Sequence, residues 1–511
     1  MIGRRRFINR SIGVTAALSL PGCLSVGLAG NVIRNVSDPT SLSASQLSMA
    51  IKHRVLSCEE VMQAYLARIH QYNPTFNAIV SLQSDDFLMQ NARAADEALE
   101  RGEYWGWLHG MPHAVKDLLD VKGIQSSYGS LLFAGNIPVR DSLPVARIRE
   151  QGAIFVGRTN VPEFGLGSHT YNQLHGTTYN AYDKLLTAGG SSGGAASALA
   201  LSLLPCADGS DMMGSLRNPA AFNNVVGFRP SQGRVPNPSA NGGLFYHQLA
   251  TEGPMGRTVE DTIRLLHTMS GYDPRAPLSA RDSLPGYSQF HAAELSRVKI
   301  GWMADYEGYL PMEAGVLALC EDVLKLLAAH GADVDKCLPN YDMASLWEVW
   351  LTFRHWSMSS LKPFYDEPKF KSMLNPQAVW EIEGGVDMSA HRLSSAAKGR
   401  SAWYVALQHL FEQFDVLALP SAQVFPFLAT TNWPASINGH PMDTYHRWME
   451  VSIGGTLSGL PVISLPVGFD NAGRPMGLQF IGRPGEDKAL LEFALAYEAT
   501  TPFLNRKPGD S

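Results

Sequence analysis

The sequence predicts an α/β protein, on three observations. Short apolar runs recur at 153–156, 298–302, 416–419, 462–467 and 478–481, each the length of a buried strand. Stretches with apolar residues at helical spacing lie between them. Among 511 residues, 45% are hydrophobic and only 17% charged, a balance that builds a large core, whereas disorder needs lower hydrophobicity and more net charge.

The chain opens on Gly3-Arg4-Arg5-Arg6-Phe7-Ile8-Asn9, followed over 11–29 by a mildly apolar stretch interrupted by Gly13, Pro21 and Gly22. A basic start before a short, weakly apolar segment is the layout of a targeting peptide. The order Arg4-Arg5, any residue, Phe7-Ile8 resembles the bacterial twin-arginine export signal. Residues 1–30 are therefore assigned to an export signal, and the expected location is the periplasm or cell envelope of a bacterium. Leu20-Pro21-Gly22-Cys23 resembles a lipoprotein processing box apart from Pro21, so lipidation at Cys23 or a retained anchor stands as an alternative to simple cleavage. Farther on, no apolar run is long enough to span a bilayer. Membrane contact is expected only through the signal or a lipid anchor.

The remainder, 37–508, reads as one domain, because no fixed-period repeat, low-complexity block or long linker divides it. Asp38-Pro39-Thr40-Ser41 precedes Leu42, Leu47, Ile51, Val61, Tyr65, Leu66 and Ile69, which predicts two amphipathic helices with cap-type residues in front. Between 341 and 394, Trp347, Trp350, Phe353, Trp356, Phe364 and Tyr365 crowd together. They would either wall a pocket or pack the core, and for any single ring packing is the better expectation. A net charge of −6 without a dense Lys/Arg stripe beyond the N-terminus argues against a nucleic-acid partner. The five cysteines, Cys23, Cys58, Cys206, Cys320 and Cys337, lack metal-site spacing. They are expected as buried free thiols, with a Cys320–Cys337 bond the alternative in an oxidising compartment. None of these patterns speaks to oligomeric state.

Three segments carry chemistry. Leu108-His109-Gly110-Met111-Pro112-His113-Ala114-Val115-Lys116-Asp117 ends an apolar, strand-like run in a lysine. Gly189-Gly190-Ser191-Ser192-Gly193-Gly194 leads into a small, apolar, helix-compatible run. By itself such a loop would suit an anion at a helix N-terminus or a plain turn, but a phosphate loop needs Lys and Ser/Thr where Ala195 and Ala196 stand. Asp208-Gly209-Ser210-Asp211-Met212-Met213-Gly214-Ser215-Leu216-Arg217-Asn218-Pro219-Ala220 completes the set. Together they resemble the amidase signature family, which joins a strand-borne lysine, a GGSSGG loop and a nucleophilic serine in a GTD-x-GGS-IR-x-PA segment. The resemblance extends to Ala64-Tyr65-Leu66-Ala67-Arg68-Ile69, to Leu457-Ser458-Gly459-Leu460-Pro461-Val462, and to Gly477-Leu478-Gln479-Phe480-Ile481-Gly482.

The resemblance implies a mixed central β-sheet covered by helices on both faces, and an amidase acting on small-molecule amides. It places the nucleophile on Ser215, the relay on Ser191, the base on Lys116, and support on Gly190, Ser192, Asp211 and Arg217. It also implies a cis peptide between Gly190 and Ser191, and an oxyanion hole from backbone N–H groups across Met212, Met213, Gly214 and Ser215. No cofactor or metal is needed. The chemistry is coherent: an alcohol is a poor nucleophile until a base takes its proton, and lysine can be that base only when burial keeps it neutral.

Two departures stand out. Met213 replaces the first glycine of GGS, which would be costly if that position needed positive φ, and Ser210 replaces the common threonine. Three alternatives follow: a binding protein with an impaired oxyanion hole; the glutaminase subunit of a tRNA-dependent amidotransferase, which the export signal opposes; and a Ser-His-Asp hydrolase using His109, His113, His169 or His175. The last lacks a G-x-S-x-G elbow around Ser215.

Overall fold

The computed structural model describes residues 38–238, 245 and 248–509. The expected export signal, with Cys23, lies outside the described residues. Both opening helices form, Ala44–Lys52 and Cys58–Phe76. Each begins with a reciprocal capping box, Ser43 with Gln46 and Ser57 with Glu60, which satisfies two backbone N–H groups the first turn would leave unpaired.

Each of the five apolar runs contains a strand. Four lie in an eight-stranded sheet ordered Asp333–Lys336, Lys299–Trp302, Val416–Pro420, Pro475–Gly482, Val462–Phe469, Val226–Arg229, Thr251–Gly256, Cys206–Asp211. The first three run parallel and the other pairings are antiparallel, so the sheet is mixed. Pro475–Gly482 is buried at every position and Val462–Phe469 at all but its last. That is why these segments read as unbroken apolar runs: strands covered on both faces do not alternate. The helices Arg217–Phe222, Val316–Ala329 and Asp487–Thr500 pack on these two central strands.

The fifth run, Ile154–Thr159, belongs to a separate three-stranded sheet, between Ile79–Val80 and Pro112–Lys116. Pro112–Lys116 packs against Cys206–Asp211, the edge strand of the large sheet. Buried Asp208 fastens the two: its Oδ2 accepts the Lys116 N–H at 3.1 Å and its Oδ1 meets His113 Nε2 at 2.9 Å. The strand packing covers this sheet edge, and Asp208 satisfies one backbone N–H there, that of Lys116.

Residues 341–394 fold into helices, including Met343–Met358 and Pro376–Val386. Trp347, Trp350 and Phe353 are buried there as packing, while Trp356, Phe364 and Tyr365 are half-buried. The segment lends a turn, Met373, Asn375 and Gln377, to one cavity, and one face of helix Met343–Met358, with Trp347 on it, to another of about 560 Å³. Cys320 and Cys337 are both free thiols, as are Cys58 and Cys206; Cys337 alone of the four is only half-buried.

Candidate active site

Lys116 is the last residue of its strand, paired with Thr159 and only 1% exposed. The strand aims its Nζ at the glycine-serine loop, 2.9 Å from Ser191 Oγ, 2.7 Å from Ser192 Oγ and 3.1 Å from the Ser210 carbonyl oxygen. Burial pulls its pKa down to about 7 against the opposing pull of Asp211, Asp208 and Glu252.

A neutral lysine amine has two N–H donors and one lone pair. The Ser210 carbonyl can only accept. Ser192 Oγ can hand its own hydrogen to that carbonyl, 3.3 Å away, and so accept from lysine as well. These two acceptors consume both N–H bonds. The lone pair is left for the hydroxyl hydrogen of Ser191, the polarity that a proton relay toward lysine requires.

The loop is held from below. The Gly190–Ser191 peptide is cis, and the Gly190 N–H donates to Asn218 Oδ1 at 3.1 Å. A Cβ on Gly190 would stand 3.0 Å from the His169 backbone nitrogen, so the close approach of segment 168–170 excludes a larger residue. Helix Gly193–Ala200, buried throughout, follows.

Ser215 follows the large sheet's edge strand, in a turn organised by Asp211. The Asp211 carboxylate accepts from Gly214 N–H at 3.0 Å, from Leu216 N–H at 3.2 Å, and from both Arg217 Nε and Nη2 at 2.9 Å; Arg229 Nη1 adds a contact at 3.2 Å. Burial alone would raise its pKa, but Arg217, Arg229 and the N–H donors hold it well below the carboxylate range. Arg217 extends the brace to Gln479 Oε1 at 2.6 Å, the Ser452 carbonyl at 2.9 Å and Thr456 Oγ1 at 3.0 Å. The pair is fully buried. Arg217→Ala is therefore expected to destabilise the protein by about 3–5 kcal/mol, because it strands a buried carboxylate; denaturant unfolding would measure it.

The position in this turn that needs positive φ is Gly214, at +83°, where a Cβ would stand 2.9 Å from Ser452 Cβ. Met213 is not among the residues of positive φ and its side chain is buried. The backbone reason to expect a blocked oxyanion hole therefore does not hold. Of the expected oxyanion donors, the Gly214 N–H is already committed to Asp211. The N–H groups of Met212, Met213 and Ser215 donate to no acceptor among the described residues. Such groups can stabilise an oxyanion where charge develops.

The structure thus gathers Lys116, Ser191 and Ser192, and separately Asp211, Gly214 and Arg217. The Ser215 hydroxyl, in a residue 6% exposed, hydrogen-bonds to no described residue. None of the four histidines touches it: His109 meets the Ala95 carbonyl, His113 Asp208, His169 the Ala429 carbonyl and Thr187, and His175 Ser127. A small cleft at Leu166, Gly167, Ser168, Tyr171, Asn375 and Tyr445 adjoins the loop. It lies beside a cavity of about 240 Å³ that shares Tyr171 and Asn375. Sequence reasoning passed over Asp208, Arg229 and Gln479, whose partners are 18 or more positions away along the chain.

Similarity to known proteins extends over most of the chain. The model of the Amidase family matches residues 60–491. An acylamidase of Rhodococcus erythropolis is 31% identical, over 92% of this chain and 98% of its own. A glutamyl-tRNA(Gln) amidotransferase subunit of Thermosynechococcus vestitus is 32% identical, over 91% and 98%. Among solved structures, a bacterial aryl acylamidase of the amidase signature enzymes superposes with a TM-score of 0.83 at 26% identity, covering 91% of this chain and 97% of that one.

Proposed function

This chain belongs to the amidase signature family, and from that premise we propose that it is an exported serine amidohydrolase cleaving a carboxamide-type C–N bond through a Ser215 acyl-enzyme. The observation that carries the reading is the buried Lys116 amine, near pKa 7 and hydrogen-bonded to Ser191. Ser191 gives its proton to Lys116 and takes that of Ser215 as Ser215 Oγ bonds to the carbonyl carbon. The oxyanion meets the free N–H groups of Met212, Met213 and Ser215. As the C–N bond breaks, the proton returns through Ser191 to the departing nitrogen, without which an amine anion would have to leave. Water then attacks the ester by the same route and frees the acid. An anilide, ester or carbamate would follow the same path.

Support for export rests on the twin-arginine-like start. A second reading, the glutaminase subunit of a tRNA-dependent amidotransferase, draws on the similarity to the glutamyl-tRNA(Gln) amidotransferase protein, but that subunit works with partners in the cytoplasm. Intact-mass measurement on protein recovered from separated cell fractions, with and without amide substrate, distinguishes them. Expected are a periplasmic or envelope species shortened by about the length of the signal, and an acyl adduct on Ser215. A full-length cytoplasmic species acylated only by glutamine would reverse the choice.

A further inference from the structure

Beside the nucleophile turn lies a polar cluster that the proton relay does not use. Arg354, on helix Met343–Met358, is 5% exposed. Its Nε donates to Glu381 Oε1 at 2.9 Å and its Nη2 to the Tyr445 hydroxyl oxygen at 3.1 Å, while the Tyr445 hydroxyl donates to Glu381 Oε1 at 2.6 Å. The third arm, Nη1, points at the nucleophile turn and finds, among the described residues, only the thioether sulfur of Met212, 2.7 Å away. Met212 is half-buried and three residues before Ser215. A thioether is a weak acceptor, and a guanidinium N–H facing one in a desolvated place forgoes most of what an oxygen would give.

We propose that Arg354 determines specificity by donating Nη1 to an uncharged oxygen acceptor, a ketone, amide or ester carbonyl, in the substrate beyond its scissile bond, with the flexible Met212 side chain displaced. The inference rests on the amidase reading for its substrate and on geometry for its residue. Three features support it. Two of the three guanidinium nitrogens are fixed by oxygen partners, so the fork is pre-aimed. Tyr445, bonded to the same guanidinium, lines the cleft beside Gly167 and Ser168, and a Cβ on Gly167 would stand 3.5 Å from its ring. The charge is matched: burial would raise the Glu381 pKa, but Arg354 chiefly outweighs it and holds the group at about 2. His355 Nδ1 stands 3.0 Å from Glu381 Oε2. Buried His446, stacked on Tyr445, has its pKa pulled down to about 3 by desolvation. An acceptor that brings no charge of its own therefore suits the cluster better than a carboxylate.

The test uses anilides of straight-chain acids carrying a ketone at carbon 4, 5 or 6, each against the parent alkyl chain and an ω-carboxylate analogue. Affinity is read by thermal-shift titration, which needs no turnover, and by protection of Ser215 from a fluorophosphonate probe. The full-length wild type should bind at least one keto chain about 10- to 100-fold more tightly than its alkyl parent. Arg354→Lys keeps a cation for Glu381 but has no forked third arm, and should reduce that preference below about threefold while alkyl chains bind as before. No keto preference in the wild type, its persistence in Arg354→Lys, an equal loss for keto and alkyl chains in Arg354→Lys, or tighter binding of the carboxylate chain would each overturn the proposal. Absence of Ser215 labelling would instead count against the nucleophile and leave the thermal-shift preference readable.

Discussion

Ser215→Ala should lower amide turnover by roughly 10³- to 10⁶-fold while leaving the fold in place. The side chain hydrogen-bonds to no described residue, so its loss orphans no partner, and the turn around it is set by Asp211, Gly214 and Arg217. Steady-state rates on one amide, with unfolding curves for both proteins, separate chemistry from stability. Ser191→Ala added to Ser215→Ala should cost little more, because residues that act as one relay are not additive. A Ser215→Ala enzyme that kept wild-type turnover would remove the nucleophile from this position.

The second large effect concerns Lys116. In the proposed relay its neutral form is the base, and burial pulls its pKa down to about 7, so kcat/KM should rise from about pH 5 and level off roughly one unit above that value. Lys116→Arg, which stays charged across that range, should lose nearly as much as Ser215→Ala and show no such rise. The same displacement acts on stability. The folded state holds the proton less tightly than the unfolded chain, whose lysine titrates near its ordinary value of 10.5. Between about pH 7 and 10.5 the unfolded state binds more protons, so this group's contribution to stability improves as pH rises through that window and is constant outside it. Activity and stability therefore improve in adjoining ranges for one reason. A pH-rate profile flat from 5 to 9 would contradict a lysine base.

Much of this site was legible because its parts are local. Lys116 ends an apolar run, the glycines and serines are contiguous, and Ser215 sits between Asp211 and Arg217 within seven residues. The strands were legible for a related reason: 462–467 and 478–481 are covered on both faces and so read as continuous apolar runs. Long-range polar partners left no such trace. Arg217 reaches Gln479, Arg354 reaches Met212 and Tyr445, and Asp208 reaches back to Lys116, and nothing in the neighbourhood of either residue signals the other. Met213 misled for the opposite reason. A glycine pattern shows that positive φ is needed in the turn but not at which position, and the backbone places it at Gly214. The rings of 341–394 gave no means of telling a wall from a core; Trp350 is fully buried, and the adjacent turn at Asn375 faces the cleft.

Asp208 holds the strand that ends in Lys116 to the strand that leads into Ser215, and those strands belong to different sheets. In the proposed relay, the distance a proton must cross is thus set in part at the joint between two separately built layers. Changes that slide one layer by a few tenths of an ångström would alter transfer rates at a distance from every reacting atom, and changes confined to the helices over 341–394 would leave that joint alone. With the relay and the role of Arg354 as proposed, catalytic timing and choice of substrate would rest on different parts of the chain, and each could drift through mutation with little correction from the other.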